Sequence, residues 1–301
     1  MGTFIGHVCP GLFLFLYGLY QGIVVSRAVI FNESLLYPLW PSKKKGRWAR
    51  LWKISCEGLL KIVAGSLLVI YEISCTHGEL TLMNRELPPR FMYPKEWQHL
   101  TMFTLLIING FVDVTSNNVL PQRCVALEKG ALVLSSYELL LLLVSHVKES
   151  SGIELQVHSL LISVVFLLLL VLTAELWTPE MVHLWMMETF LFVIMGSWLM
   201  QAGFILYRPV SGYPWEDDDM SDLMFVTTFF CWHVMFDALC LLAIYGFSYF
   251  WHRCYLPSLK MTESKEAPYH ESSPEPLYRL LQEVEQPEKE DQAPLLAKNS
   301  P

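Results

Sequence analysis

The chain has 301 residues, 53% of them hydrophobic and 17% charged, with a mean hydropathy of +0.37. Soluble domains run at about 45–50% apolar and about 25% charged, and they have no use for several apolar runs of about 20 residues, the length that crosses ~30 Å of hydrocarbon. That excludes an ordinary soluble fold. A formal net charge of -8, held mostly by residues 253–301 and by the run Glu216 to Asp219, also excludes a basic surface for nucleic acid.

Spans are predicted at about 8–30, 52–72, 98–119, 126–147, 153–175, 181–207 and 221–250. The first has no charged segment before it and no small-residue cleavage site after it, so it reads as a retained span and not a signal peptide. The second is the least apolar. Lys53, Glu57 and Lys61 recur on successive turns there, which predicts that other helices shield it. Pro121, Ser151-Gly152 and Thr178-Pro179 punctuate the later spans. The segment 176–180 is short enough to make spans five and six antiparallel neighbours. No internal repeat is visible, which argues against the repeat architecture of many transporters.

The expected fold is therefore an all-α membrane protein, a seven-transmembrane-helix bundle over residues 1–252. Basic residues in short connections set the orientation. With the N-terminus outside, the cytosolic side holds Arg27, Lys43, Lys44, Lys45, Arg47, Arg50, Arg123, Arg253 and Lys260, while the run Glu216 to Asp219 faces outwards. The sequon Asn32-Glu33-Ser34 then faces the cytosol, where it stays unglycosylated.

Residues 253–301 carry nine acidic and six basic side chains and are rich in Pro, Glu, Ser and Gln. Such a composition buries too little apolar surface to fold, so a disordered acidic cytosolic tail is predicted. Tyr278 with Leu281 forms a tyrosine-x-x-hydrophobic pattern, and Asp291 with Leu295 and Leu296 an acidic dileucine pattern. Both resemble sorting signals read by clathrin adaptors. Cys254, just past the last span, is a lipidation candidate. The other cysteines lie mostly in apolar runs, where a thiol behaves as a small hydrophobe. Only Cys9 and Cys75 are placed to meet at an oxidising face.

A charge at the bilayer centre costs at least ~2.5–3.5 kcal/mol, so each one needs a partner or a water-filled cavity. Towards the outside lie His7, His99, His146, Glu154 and His158, with His233 deeper. Glu154 and His158 share one helix face, and His146 ends the preceding span. His146, Glu154, His158 and His233 therefore form a candidate divalent-metal site, zinc by ligand type. The bland alternative is that interfacial histidines bond to backbone or headgroups. Towards the cytosol, Glu57, Lys61, Asp113, Glu188 and Asp237, with Glu138 near mid-depth, form an intramembrane polar set. It serves either as interhelical ion pairs or as a proton or cation path. No lysine lies between 221 and 250, which argues against a retinal Schiff base, and no phosphate loop or hydrolase elbow is present. Gly196, Ser197, Trp198, Gln201, Ala202 and Gly203 read as a close-packing face on the sixth helix, with Gln201 bonding across it.

The opening Met1-Gly2-Thr3-Phe4 with Gly6-His7-Val8-Cys9-Pro10-Gly11, the run His99-Leu100-Thr101-Met102, residues 196–209 from Gly196 to Pro209, and Cys231-Trp232-His233 resemble the transmembrane protein 45 family. The likeness covers most of residues 1–252, and the transmembrane epididymal proteins are the branch it is most similar to. It implies a multipass seven-helix bundle with no settled biochemical activity. The family pattern ends the fourth helix in His-x-His-Gly, followed by an acidic residue and a histidine on the fifth. Here His146, Glu154 and His158 match, but Lys148 and Glu149 replace the second histidine and the glycine, which weakens any metal site.

The reading preferred on these grounds is a non-enzymatic membrane protein of the plasma membrane or the endosomal and secretory membranes. Its partners are the lipid bilayer and, through the tail, clathrin adaptors. Its rivals are a metal-dependent intramembrane lipid hydrolase and a proton or cation conductor.

Overall fold

A computed structural model describes residues 3–31, 55–76 and 80–263, with side chains placed up to Cys254 except that of Phe31. The chain divides into two units, residues 1–253 and 254–301, and of the second only the helical residues to 263 are described. Seven helices account for nearly all of it: α1 (Phe4–Phe31), α2 (Cys56–Cys75), α3 (Pro94–Asn118), α4 (Val125–His146), α5 (Gly152–Trp177), α6 (Val182–Tyr207) and α7 (Met220–Glu263). Each is long and apolar enough to cross a membrane. The fold is all-helical, as the spacing of apolar runs predicts. The sorting patterns around Tyr278, Leu281, Asp291, Leu295 and Leu296 lie outside the described residues.

Local chemistry sets the helix starts. The Ser55 hydroxyl accepts a bond from the Gly58 amide at 3.2 Å and caps α2. Pro94 opens α3, where its missing N–H costs nothing. The α5 start is capped from a distance: Asp217, in the acidic loop before α7, accepts from the Ile153 amide at 3.0 Å. Gly152 allows this, because its φ of 53° is a left-handed value and a Cβ there would stand 2.5 Å from the Asp217 side chain.

Neighbouring helices form a closed ring. In the first six helices α1 packs on α6, α6 on α5, α5 on α4, α4 on α3, α3 on α2 and α2 back on α1. The two longest seams, α1–α6 and α2–α3, are glycine seams. A Cβ on Gly11 would meet the Gly196 carbonyl oxygen at 2.9 Å, and one on Gly58 would meet the Gly110 carbonyl oxygen at 2.8 Å. Backbones touch there, the usual device where lipid offers no hydrophobic drive between helices. α7 lies outside the ring, along α1, α5 and α6. Gln156 bonds to Thr227 at 2.9 Å, and Val226 joins the buried core.

The close-packing face predicted on α6 is largely as expected. Gly196 meets α1, Ala202 is buried, and Trp198 is fully buried and donates its indole N–H to the Val157 carbonyl of α5 at 3.0 Å. Gln201 makes no cross-helix bond among the described residues. All seven cysteines are thiols, so Cys9 and Cys75 are not joined.

Candidate functional site

Alternating helix direction brings the start of α1, α3 and α5 and the end of α2, α4 and α6 to the end of the bundle that bears the N-terminus. Four imidazoles gather there. Ring centroids are 5.9 Å apart for His7 and His158, 5.3 Å for His158 and His146, and 5.5 Å for His146 and His99. Each Nδ1 has an oxygen partner: the Thr3 carbonyl for His7 (3.0 Å), the Glu154 carbonyl for His158 (2.8 Å), Glu72 Oε1 for His99 (2.9 Å) and Gln98 Oε1 for His146 (3.0 Å).

Beneath them the ring of six helices lines a partly open cavity of about 200 Å³, and among the described residues no α7 side chain lines it. The four histidines line one end. Leu, Val, Phe and Met side chains make the walls, and Asn109 with Ser135 marks the far level, joined by a 2.6 Å bond. His158 and Leu168 both line it, ten residues apart on α5, which gives a length of ~15 Å at 1.5 Å per residue. A smaller hollow of about 40 Å³ shares these walls and reaches Tyr17 and Lys61.

Two charge clusters occupy the opposite end. Lys61 bonds to Glu57 at 3.0 Å and to Asp113 at 2.8 Å, and Tyr17 donates to Glu57 at 2.7 Å. Lys129 bonds to Glu188 at 2.6 Å and stands 2.5 Å from Glu175, without hydrogen-bond alignment; neither Glu175 carboxylate oxygen has a hydrogen-bond partner among the described residues. In the connection before α4, Arg123 grips Glu128 with two N–H groups, at 3.0 and 2.8 Å. Those bonds raise its pKa further above the ordinary guanidinium value.

The predicted metal set is only partly gathered. His146 and His158 are neighbours, but Glu154 pairs with Lys95 at 3.5 Å and His233 packs on Trp198 with centroids 5.8 Å apart. Among the described residues no three His, Cys, Asp or Glu side chains stand in an arrangement that holds a metal ion. The predicted polar set separates into groups. Glu57, Lys61 and Asp113 meet; Glu188 belongs with Lys129; Asp237 accepts from Ser197 at 2.6 Å, with its second oxygen buried and unpartnered. Glu138 is half-buried and meets no polar partner among the described residues. Cys254 is exposed.

Residue-type reasoning missed Lys129, Glu175, Glu72 and Tyr17 as partners. The turn at 176–180 carries the one usable signal, since it sets Glu175 and Glu188 at similar depth on adjacent helices.

Seven apolar helices with charges paired inside the bundle define an integral, multipass membrane protein. A family model described as a family of unknown function (DUF716) matches residues 125–246, α4 to most of α7. Transmembrane epididymal protein 1A of Mus musculus is 72% identical over 301 residues, 100% of this chain and 99% of that protein. Transmembrane epididymal protein 1 of Rattus norvegicus is 68% identical over the same 301 residues, again 99% of that protein. Transmembrane epididymal protein 1 of Homo sapiens is 70% identical over 273 residues, 91% of this chain and all of that protein. The chain belongs to the transmembrane epididymal protein family.

Proposed function

We propose that the chain is a non-enzymatic membrane protein that holds a small amphiphile inside its six-helix ring, and that its tail selects the membrane in which it does so. The cavity carries the first half of this reading. It is apolar along ~15 Å and polar only at its histidine end and at Asn109, Ser135 and Ser136, the lining that orients a molecule with one polar head. The two interior lysines favour binding over conduction. Glu57, Lys61 and Asp113 are tied to one another, as are Lys129 and Glu188, and an ion path needs such groups free to exchange partners.

Mass spectrometry of the purified full chain is expected to find a co-purified lipid-like molecule, and the Val165→Trp variant, which fills the wall, is expected to lose it. Equal recovery from both chains would sink the reading. Zinc near one per chain, lost when His146 and His158 become alanine, would put the metal-dependent lipid hydrolase in its place.

The second half of the reading has the N-terminus outside and the tail, residues 253–301, in the cytosol, with Tyr278, Leu281, Asp291, Leu295 and Leu296 read by clathrin adaptors at the plasma membrane or the endosomal and secretory membranes. Kinship with the wider transmembrane protein 45 family, and lipidation of Cys254, belong to the same proposal. Replacing Tyr278, Leu295 and Leu296 together by alanine is expected to move a tagged full chain out of its compartment under the microscope; unchanged location refutes the tail's role.

A further inference from the structure

The tautomer of the four histidines has a chemical consequence. Carbonyl, amide and carboxylate oxygens accept and do not donate, so the proton of each ring sits on the Nδ1 that faces Thr3, Glu154, Gln98 or Glu72. In the neutral ring Nε2 is then a lone pair. All four residues line the cavity, and the hydrogen bonds of these rings to described residues all run through Nδ1. The polar end of the chamber is thus an acceptor surface in need of donors.

We propose that this end is a head-group site for a small amphiphile with an uncharged, hydroxyl-bearing head, of the medium-chain alcohol class. This rests on the amphiphile-binding reading above and specifies its ligand. A hydroxyl donates to one Nε2 while its oxygen remains available to a further donor. A carboxylate head offers only acceptors and sets negative charge against four lone pairs. An ammonium head would donate, yet burying an unpaired cation in an apolar cavity costs far more than burying a hydroxyl. Of the carboxylates nearby, Glu154 is engaged by Lys95, and Glu72 accepts the Nδ1 proton of neutral His99. Together the two hollows, of about 200 and 40 Å³, have room for about eight water-sized groups at ~30 Å³ each. A seven-carbon chain with its head therefore tests the site.

The test measures equilibrium binding of radiolabelled 1-heptanol, heptanoate and heptylamine to the full chain in detergent at neutral pH, net of empty micelles. 1-Heptanol is expected to bind about one per chain and at least tenfold tighter than either charged probe. The His146→Leu/His158→Leu double variant is expected to lose that preference by tenfold or more. Should that variant fail to fold, Val165→Trp serves in its stead, with binding of all three probes expected to fall together. Heptanoate or heptylamine binding as tightly as the alcohol would overturn the head-group assignment while leaving the chamber a binding site. Absence of saturable binding by every probe, with no change in Val165→Trp, would overturn the amphiphile reading itself.

Discussion

Replacing Lys61 by methionine is expected to destabilise the bundle by about 3–5 kcal/mol, the cost of breaking a buried ion pair from one side. Lys61 is 7% exposed and is the cation shared by Glu57 and Asp113, bonded at 3.0 and 2.8 Å. Methionine keeps the volume of the stem but withdraws the charge, leaving the buried Asp113 carboxylate and the one-third exposed Glu57 without their cation. The measurement is the midpoint of denaturant-induced unfolding in mixed micelles, followed by helical signal. The control is to remove charge from the other side as well. Lys61→Met combined with Glu57→Gln and Asp113→Asn leaves polar groups of similar shape without net charge, and neutralised buried triads are often no less stable than the originals. The triple variant is therefore expected to recover at least half of the loss. A cost of less than about 1 kcal/mol for Lys61→Met alone, the range of exposed pairs, would show that water reaches the cluster.

Much of this architecture was legible beforehand, and the reasons differ from element to element. The second span, with Glu57 and Lys61 four residues apart, called for shielding, and α2 does turn that pair towards Asp113 and Tyr17. Spans five and six had to be neighbours because Thr178-Pro179 leaves no slack. The seam between α1 and α6 was hidden, since some 150 residues separate the two helices and glycines such as Gly11 and Gly196 say that a backbone comes close without saying whose. The polar residues show the same limit. Their depth could be counted along each span, so His7, His99, His146 and His158 sorted to one end correctly. Depth does not give rotation about the helix axis, and rotation decided that His7 and His99 complete the group while His233 turns to Trp198.

The glycine seam yields the second large effect. Gly196→Ala is expected to lower stability by about 3 kcal/mol, the upper part of the overpacking range, although the substituent is one methyl group and alanine is the better helix former by about 1 kcal/mol. The added Cβ would fall 2.8 Å from the Gly11 carbonyl oxygen and against the backbone of Phe15, so backbone and not a flexible side chain must move. Two alanine substitutions elsewhere isolate that cause. At Gly203 of α6 the nearest atom is a Val8 side-chain methyl at 3.0 Å, which can give way, and at Gly130 of α4 nothing lies within 4 Å. Gly203→Ala is expected to change the unfolding midpoint little, and Gly130→Ala to raise it slightly. The seam also holds the candidate site together: α1 carries His7, Pro10 and Phe13 to the cavity, and α6 carries Phe192, Met195 and Leu199. Pushing α1 outward at Gly196 withdraws one imidazole from the group and widens the chamber. Gly196→Ala should thus lose amphiphile binding at temperatures where it is still folded, whereas Gly130→Ala keeps it. If Gly196→Ala unfolded early yet bound normally while folded, the seam would stabilise the bundle without shaping the site.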